Sequence, residues 1–378
     1  MSGQRWAAYV CMAALSGSAC GGSPAAPSTP GTPGTPGTPS LPFTTTVRLV
    51  DVLTALAVSG ASATGTSISG GPSDSAGRMT IGSETSASDP RLVTFSQSSA
   101  VTRQVSMKIP GSDVTVSLIP TSFDLDAFDE FMRVTQLQRW TSAPPLRVQS
   151  RLLEFTSVTA ADAVGLDEVL TEAERAGLES DLTWALPQLT GSQFQAFASI
   201  TRETVEPGAR MSVLNTGVIT VARYRGLQAA TGYWGYSRWQ YRSDGTVISG
   251  TIMLDRDFDR SGSIYRRSLR THELGHALGY THVTRRTSVM NSSAVTEPNA
   301  FDLDAARIGF QRPPGNRRPD ADPAGTSANI HAGAAVWSAG AGARGPVTQC
   351  RGLTPGASRS GVSAPGCSPT TAGRAPLP

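Results

Sequence analysis

The histidines of this chain are concentrated in one short segment. The chain has 378 residues and four histidines, and three of the four lie in His-Glu-Leu-Gly-His-Ala-Leu-Gly-Tyr-Thr-His over residues 272–282. Side chains four residues apart project from one face of a helix, so His272 and His276 can bind a single zinc ion. Gly279 can end that helix with a positive φ and turn the chain, which brings His282 to the same ion. Three neutral imidazoles leave the fourth tetrahedral position open, which is typical of a catalytic zinc site.

Glu273 adds a carboxylate beside these nitrogen ligands. It adjoins His272 in the sequence, so it can face a zinc-activated water molecule without binding the metal ion itself. Zinc lowers the pKa of water to about 7, and a carboxylate can then take the proton and deliver it to a leaving amine. A purely structural zinc site has no need of such a residue. The alternative is a set of surface histidines on an amphipathic helix, which the rarity of histidine in this chain disfavours.

The segment 272–282 resembles the signature of the metzincins, a family of zinc endopeptidases. Members carry a methionine in a tight turn beneath the zinc ion, and Met290, within Ser-Val-Met-Asn at 288–291, stands in that place. The short spacing from His282 to Met290 is similar to that of the matrixin branch. The resemblance implies a zinc endopeptidase in which Glu273 is the general base and then the acid, and in which Met290 supports the site.

The resemblance covers residues 146–311, but only residues 250–310 carry specific motifs of the family. Segments 250–255 and 299–310 stand in the places of the strand before the active-site helix and of the last helix. The sequence departs from the family pattern at two places. Val283 replaces the serine usual after the third histidine, and no tyrosine follows Met290 closely, so a five-coordinate zinc ion is not expected.

Cysteine is absent from residues 21–349, and the chain has only Cys11, Cys20, Cys350 and Cys367. A disulfide framework and a thiolate zinc site within the body are therefore excluded. For the same reason a cysteine switch is not expected, and any latency must work without one. Cys350 and Cys367 could form a disulfide in an oxidising compartment.

An aromatic cluster precedes the histidine segment. Five aromatic residues fall within nine positions: Tyr233, Trp234, Tyr236, Trp239 and Tyr241. By the resemblance, they belong to the exposed edge strand along which a peptide substrate would add as an extra strand. The alternative is that these side chains pack in the core.

Three alternating aspartates suggest a calcium loop. Asp255, Asp257 and Asp259 have the spacing of the first ligands of such a loop, but Arg260 and Arg266 stand where an EF-hand has glycine and glutamate. The matrixin resemblance implies acidic residues here that help to bind Ca²⁺. The alternative is a solvated acidic loop.

The elements that must position these residues form an α+β arrangement. Residues 43–120 alternate apolar and polar side chains between turns and predict a small β-sandwich domain. A connector at 121–145 contains a short helix, and residues 146–311 form the metzincin-like domain, a twisted mixed sheet with an active-site helix and a C-terminal helix. Strands are predicted in that domain at 146–155, 198–205, 217–224, 232–242 and 246–255, and helices at 171–188, 266–279 and 300–309.

The first residues are typical of an export signal. A cationic residue precedes a short apolar stretch, and Leu-Ser-Gly-Ser-Ala-Cys at 15–20 resembles a bacterial lipoprotein processing site. Residues 1–19 are therefore predicted to be a lipoprotein-type signal peptide, and lipidation of Cys20 would anchor the chain to the membrane at the cell envelope or outer surface. The alternative is an ordinary secretory signal and a secreted protein. From Pro24 to Pro42 a proline recurs at every third position, the period of polyproline II, so residues 20–42 are predicted to be an extended tether.

The charge distribution argues against a nucleic-acid partner. The net charge is +3, but seven arginines and two aspartates at 312–378 account for +5, which leaves −2 for residues 1–311.

Apolar periodicity ends after residue 311, and 312–378 are predicted to be a disordered tail. The expected partners are a protein or peptide substrate and the membrane. No partner subunit is evident.

The sequence therefore predicts an exported zinc-dependent endopeptidase that cleaves extracellular proteins. The alternative is a non-catalytic surface-binding lipoprotein, in which the β-sandwich is the binding domain and the zinc domain is a relic. The presence of Glu273 favours the enzyme.

Overall fold

The computed structural model describes residues 41–86, 88–292, 296–324 and 348–350. The chain divides into two compact units, Met1–Ser40 and Leu41–Pro378, and all described residues lie in the second. The predicted signal peptide, Cys20 and nearly all of the predicted tether lie outside the described residues. In the part of the chain that is described, no helix has the length and apolar character needed to cross a membrane.

The first sheet is built from residues 43–118. Its strands are β1 (Phe43–Asp51), β2 (Ser62–Gly65), β3 (Ile68–Gly70), β4 (Arg78–Ser83), β5 (Arg91–Ser96), β6 (Arg103–Met107) and β7 (Val114–Leu118). They are hydrogen-bonded in the order β6-β5-β2-β3-β4-β1-β7, and only β1 and β7 pair in parallel. In β1, Thr45, Val47 and Leu49 are buried and alternate with the exposed Thr44, Thr46 and Arg48, as the period of two requires.

The predicted β-sandwich is replaced by one continuous sheet. Met107 of β6 and Val116 of β7 lie at opposite ends of the strand order, yet both belong to the same apolar cluster. The sheet therefore curls around a common core, and its two ends face each other without being separate sheets. The alternation of apolar residues predicts the buried faces of such strands but does not determine whether the strands form one sheet or two.

The second sheet carries the site. Its strands are β8 (Leu146–Gln149), β9 (Arg151–Glu154), β10 (Asp162–Val169), β11 (Ile200–Glu203), β12 (Arg210–Ser212), β13 (Ile219–Arg225), β14 (Gly235–Tyr241), β15 (Val247–Asp255) and β16 (Thr348–Cys350). The main order is β12-β10-β9-β13-β15-β14-β16, and β8 pairs with β11 and β13. β13 is parallel to β8 and β15, whereas β14 is antiparallel to β15. Six consecutive residues of β13 are buried, as expected for a central parallel strand covered on both faces.

Among the described residues, six helices accompany the sheets: α1 (Leu125–Met132), α2 (Glu172–Leu189), α3 (Leu227–Thr231), α4 (Arg256–Arg260), α5 (Arg266–Leu278) and α6 (Ala300–Phe310). α2 begins with a capping box in which Thr171 and Glu174 satisfy each other's backbone N–H groups, as the sequence predicts. α5 packs on α2, β14 and β15 and is buried from Ser268 to Leu278. The helix that carries the histidines is therefore a core helix.

The described part of the chain is a mixed α/β structure with two sheets and few helices, which agrees with the predicted α+β class. The predicted strand at 146–155 is two strands, β8 and β9, that meet at Ser150. β10 and β12 were not predicted. The two sheets are also linked by packing, because Val52 and Ile119, which directly follow β1 and β7, belong to the large apolar cluster that includes residues of α5.

The prediction that disorder begins at residue 312 is wrong for residues 312–324. Arg312 is buried and pairs with buried Asp320 at 2.8 Å, and the Arg312 Nη2 also donates to the Ser117 carbonyl in β7. Asp322 accepts from Arg103 of β6 at 3.3 Å. The segment is rich in proline and polar residues, but its charged groups are matched by buried partners on the first sheet, so it is part of the fold.

Candidate metal centre

α5 presents two histidines one turn apart. His272 and His276 are buried on the same helix face, and Gly279 ends the helix in the left-handed conformation with φ 112°. The Gly279 N–H donates to the carbonyls of Gly275 and His276, which closes the helix end. A Cβ at Gly279 would lie 2.6 Å from the carbonyl oxygen of Gln138. Glycine is therefore required for both the backbone conformation and the space.

The turn after α5 brings the third histidine to the first two. The His272 Nε2 lies 3.0 Å from the His276 Nε2 and 3.3 Å from the His282 Nε2. A tetrahedron with zinc–nitrogen bonds of about 2.0–2.1 Å has edges of roughly 3.3 Å. The three nitrogens thus have the spacing of ligands that share one metal ion, as the sequence predicts.

The other ring nitrogens fix the tautomers of the first two histidines. The His272 Nδ1 lies 2.6 Å from the Val289 carbonyl oxygen, and the His276 Nδ1 lies 2.8 Å from the Tyr280 carbonyl oxygen. A carbonyl oxygen can only accept, so each Nδ1 carries the proton and each Nε2 presents a lone pair. Two lone pairs directed at each other across 3.0 Å repel, and a shared cation removes that repulsion.

Burial keeps all three rings neutral. It lowers the pKa of His272 to about 4 and, with the His272 charge as a second cause, that of His282 to about 3. Burial followed by the charges of His272 and His282 holds the pKa of His276 well below its ordinary value. Neutral imidazole is the form that binds metal ions, so these residues can hold one at neutral pH. They are the only group of three or more potential ligands that the described residues bring together.

Glu273 is completely buried beside this triad. Its Oε2 lies 2.7 Å from the Ser237 Oγ of β14, whereas its Oε1 has no hydrogen-bond partner among the described residues. Burial raises the pKa of Glu273 to about 8, and the Ser237 hydrogen bond acts in the opposite direction. A Cβ at Gly235 would lie 2.3 Å from Oε1, so glycine leaves the space that the carboxylate occupies. An unpartnered carboxylate oxygen beside three converging nitrogens is suited to accept a proton from water.

Met290 lies beneath the histidine helix in a turn fixed by α6. Its Sδ would be 2.5 Å from a Cβ on Gly275, so the sulfur packs directly against the helix backbone. Asp302, the third residue of α6, accepts from the Ser288 Oγ and from the Val289 N–H, and the carbonyl of Val289 holds the His272 ring. The turn therefore supports the site through the backbone as well as through the methionine.

Two polar residues of the site were not predicted from the sequence. Ser237 is one of many serines in the chain and lies 36 residues before the carboxylate that it binds, so nothing local marks it. Asp302 was detectable in part, since Asn299 and Asp302 have the spacing of a capping box, which the structure contains.

The aromatic cluster belongs mainly to the core. Tyr236 and Trp239 are buried, and the others are partly buried against apolar clusters: Tyr233, Trp234 and Tyr241. The Trp239 ring is parallel to the His276 ring with centroids 6.1 Å apart, and its Nε1 donates to the Gln138 Oε1 at 2.8 Å. The core-packing alternative is the one that the structure supports. The edge of β14 that was expected to be exposed is paired with β16 over Gly235–Ser237.

The three aspartates of the suggested calcium loop have separate partners. Asp255 caps α4 by accepting from the N–H groups of Asp257 and Phe258. Asp259 is fully buried and accepts from Arg223 and Arg270, whereas Asp257 pairs with Arg256. Among the described residues these carboxylates do not converge on a common point, so the calcium site is not formed, and Asp259 is a buried ion-pair residue and not part of a solvated loop.

No protein-family model matches the sequence, and no curated protein matches it. The interpretation of the site therefore depends on its own geometry.

Proposed function

We propose that the protein is a zinc-dependent endopeptidase with a metzincin-like catalytic domain. The observation that carries the proposal is the convergence of the Nε2 atoms of His272, His276 and His282, beside the buried carboxylate of Glu273. Three imidazoles suit zinc, and they leave a coordination position for water or substrate. A site with a purely structural role would not keep an unpartnered carboxylate, because its burial costs free energy.

Bound zinc would supply Lewis acidity, which polarises a peptide carbonyl and makes a water molecule more acidic. Glu273 is placed to accept the proton of that water on Oε1 and to return it to the leaving amine. Ser237 donates to the Oε2 of the same carboxylate, which fixes the orientation of the group and leaves Oε1 without a protein donor among the described residues. The Nδ1 contacts of His272 and His276 with backbone carbonyls fix the ligand rings.

The test of the proposal compares two substitutions in the full chain with zinc added. Glu273→Gln keeps the size of the side chain and removes the base, so zinc content should stay at one ion per chain while the cleavage rate of a protein substrate falls by about 100-fold or more. His276→Ala should lose both zinc and activity. Glu297→Gln, at an exposed position, is the matched control.

Equal cleavage by the Glu273→Gln variant and the wild type would exclude the mechanism. Zinc binding without cleavage by any variant would support the alternative, a non-catalytic surface-binding protein.

We further propose that the protein is exported and anchored through lipidated Cys20. The support is the signal-like sequence at 1–19 and the proline-rich segment that follows. A Cys20→Ser variant should leave the membrane fraction, while Cys11→Ser, which changes a cysteine inside the signal, is the control. Retention of the Cys20→Ser variant in the membrane would exclude this anchor.

A further inference from the structure

The third histidine of the site does not lie on a helix. His272 and His276 are fixed by the regular geometry of α5, whereas His282 lies in the loop between that helix and the turn of Met290. Ordering a loop residue costs backbone entropy, and a metal ion would bear that cost on binding if nothing else held the loop. The position of His282 therefore depends on what binds the residues beside it.

Both sequence neighbours of His282 are held through their backbone N–H groups. The Thr281 N–H donates to the carbonyl of Phe131, a residue of α1, at 2.9 Å. The Val283 N–H donates to the Met290 carbonyl at 3.2 Å. His282 thus lies between one anchor on α1 and a second anchor in the methionine turn.

Glu130 of α1 binds the same loop at three further points. Its carbonyl oxygen accepts from the Thr281 Oγ1 at 2.5 Å, and its carboxylate Oε1 accepts from the Thr284 Oγ1 at 2.5 Å. The carboxylate Oε2 accepts from the Arg285 N–H at 3.4 Å. A single residue of α1 therefore holds the loop both before and after His282.

Two ion pairs lie on the outside of this contact. Arg285 pairs with Asp126 at 3.7 Å, and Arg286 pairs with Asp124 at 3.3 Å. All four side chains are at least one-third exposed, and exposed ion pairs add little to stability. Glu130 differs because it is partly buried and accepts from backbone and hydroxyl groups of the loop, so it provides the main support.

α1 lies outside residues 146–311, the segment that resembles the metzincins. Its C-terminal end is fixed by buried Arg133, which donates to the Asn316 Oδ1 at 2.6 Å and to the Pro319 carbonyl at 2.9 Å. The support of the third histidine is therefore built from parts of the chain on both sides of that segment.

We infer that Glu130 is a positioning residue of the metal centre, which acts through Thr281 and Thr284 to hold His282 at the distance from the other two histidines that a shared ion requires. This inference rests on the proposed function, because it takes the three histidines to be zinc ligands. Groups that are already in place lose less freedom when an ion binds, so loss of the contact should weaken metal binding.

The Kd for Zn²⁺ of the full chain, measured by competition with a chelator, tests the inference. Glu130→Ala should raise this Kd by about tenfold or more. Glu130→Gln, whose amide oxygen can still accept from Thr284, should recover most of the loss. Asp126→Ala is the matched control, because Asp126 lies on the same helix and forms ion pairs with Arg285 and Arg318, and its Kd should equal that of the wild type. Equal Kd values for Glu130→Ala and Asp126→Ala, or no recovery in Glu130→Gln, would overturn the inference.

Thr284→Val provides a second test that does not depend on the folding of the Glu130→Ala variant. It removes one exposed hydroxyl group and should raise the Kd for Zn²⁺ about threefold or more. If both residues act through their shared hydrogen bond, the double variant should bind Zn²⁺ no more weakly than Glu130→Ala alone. An unchanged Kd for Thr284→Val, or additive effects in the double variant, would contradict the positioning role.

These measurements distinguish the inference from the proposed function. A wild-type chain that binds Zn²⁺ but cleaves no peptide would contradict the endopeptidase, and the expected order of Kd values would still support Glu130 as a positioning residue. Peptide cleavage with equal Kd values in all variants would contradict the inference alone. A wild-type chain that binds no Zn²⁺ would overturn both.

Discussion

Burial acts in opposite directions on the pKa values of two neighbouring residues of α5. It lowers the pKa of His272 to about 4 and raises that of Glu273 to about 8, because in both cases it disfavours the charged form. The metal-free site therefore holds a neutral imidazole and a protonated carboxyl group at neutral pH. A divalent cation held by the histidines would favour the carboxylate again, since an opposite charge nearby stabilises the ionised form.

The first prediction concerns the pH dependence of the metal-free protein. Because the pKa of Glu273 rises from 4.5 to about 8 on folding, its contribution to stability is complete below pH 4.5 and is lost as the pH rises through 8. His272 and His282 act oppositely: their folded pKa values lie below 6.5, so their contribution is complete above pH 6.5 and is lost toward pH 4 and below. With a chelator present, urea unfolding should show a stability maximum near pH 6.5 and a fall of about 2 kcal/mol from pH 6.5 to 8.

Glu273→Gln separates these contributions. The variant has no titrating carboxyl group at this position, so its stability should stay level between pH 6.5 and 8 while the loss below pH 6.5 remains. A parallel fall for the wild type and the variant above pH 6.5 would show that other groups cause it.

The second prediction concerns Ser237. Its hydroxyl group fixes the Glu273 carboxylate, so Ser237→Ala should lower kcat by about tenfold with little change in KM or zinc content. Ser249→Ala is the matched control, because Ser249 is equally buried on β15 but contacts the carbonyl of Asn215. Ser237→Thr, which restores a hydroxyl group, should recover part of the loss. Equal effects of the Ser237→Ala and Ser249→Ala substitutions would indicate a merely structural role.

At the scale of elements, two ends of helices hold the site together. α5 ends at Gly279, which turns the chain toward His282. α6 begins with a capping box whose Asp302 also fixes the turn that carries Met290 and contacts His272. Each connection couples the geometry of the three histidines to the formation of a helix end.

The third prediction compares two glycines. Gly279→Ala places a Cβ 2.6 Å from a carbonyl oxygen at a φ of 112°, so it should lower stability by more than about 1 kcal/mol and weaken zinc binding. Gly177 lies within α2, where an added Cβ would meet no atom within 4 Å, so Gly177→Ala should raise stability by about 0.5–1 kcal/mol. Chemical denaturation and zinc titration measure both. Normal zinc affinity in the Gly279→Ala variant would contradict the role assigned to the turn.

Local patterns in the sequence predict the histidine site well. The features that they do not predict depend on contacts between residues far apart in the sequence. The ligand set and Gly279 lie within 272–282, where helix geometry alone brings the side chains together. Ser237 was not predicted because its contact with Glu273 depends on how β14 packs on α5. The pairing of β14 with a strand at residue 348 depends on contacts across more than a hundred residues, for which the sequence contains no local signal.

At the scale of the whole molecule, a buried ion-pair network joins the segment 312–324 to the first sheet. Arg312 and Asp320 are fully buried, and Arg103 of the first sheet lies within 3.6 Å of Asp320. Burial is the main cause that lowers the pKa of Arg103 to about 10, and the neighbouring Arg312 adds to it. Composition predicted a disordered tail from residue 312, because glycine and proline content does not reveal that these particular charges are paired.

The fourth prediction concerns this network. Asp320→Asn leaves Arg312 buried without its counter-charge, so it should cost about 3–5 kcal/mol of stability. Glu154→Gln breaks the Arg225–Glu154 pair, which is largely exposed, and should cost less than about 1 kcal/mol. Denaturant unfolding compares the two, and similar costs would contradict the view that the segment 312–324 is an integral part of the fold.

The contact between Arg103 and Asp322 spans 219 positions of the chain, and this separation has a kinetic consequence. A ribosome synthesises residue 103 long before residue 322, so segment 312–324 cannot dock on the first sheet until nearly the whole described fold has emerged. Closing such long loops costs entropy before any contact is gained, and chains rich in these contacts fold slowly. We therefore expect the docking of segment 312–324 on the first sheet to be a late and slow step of folding.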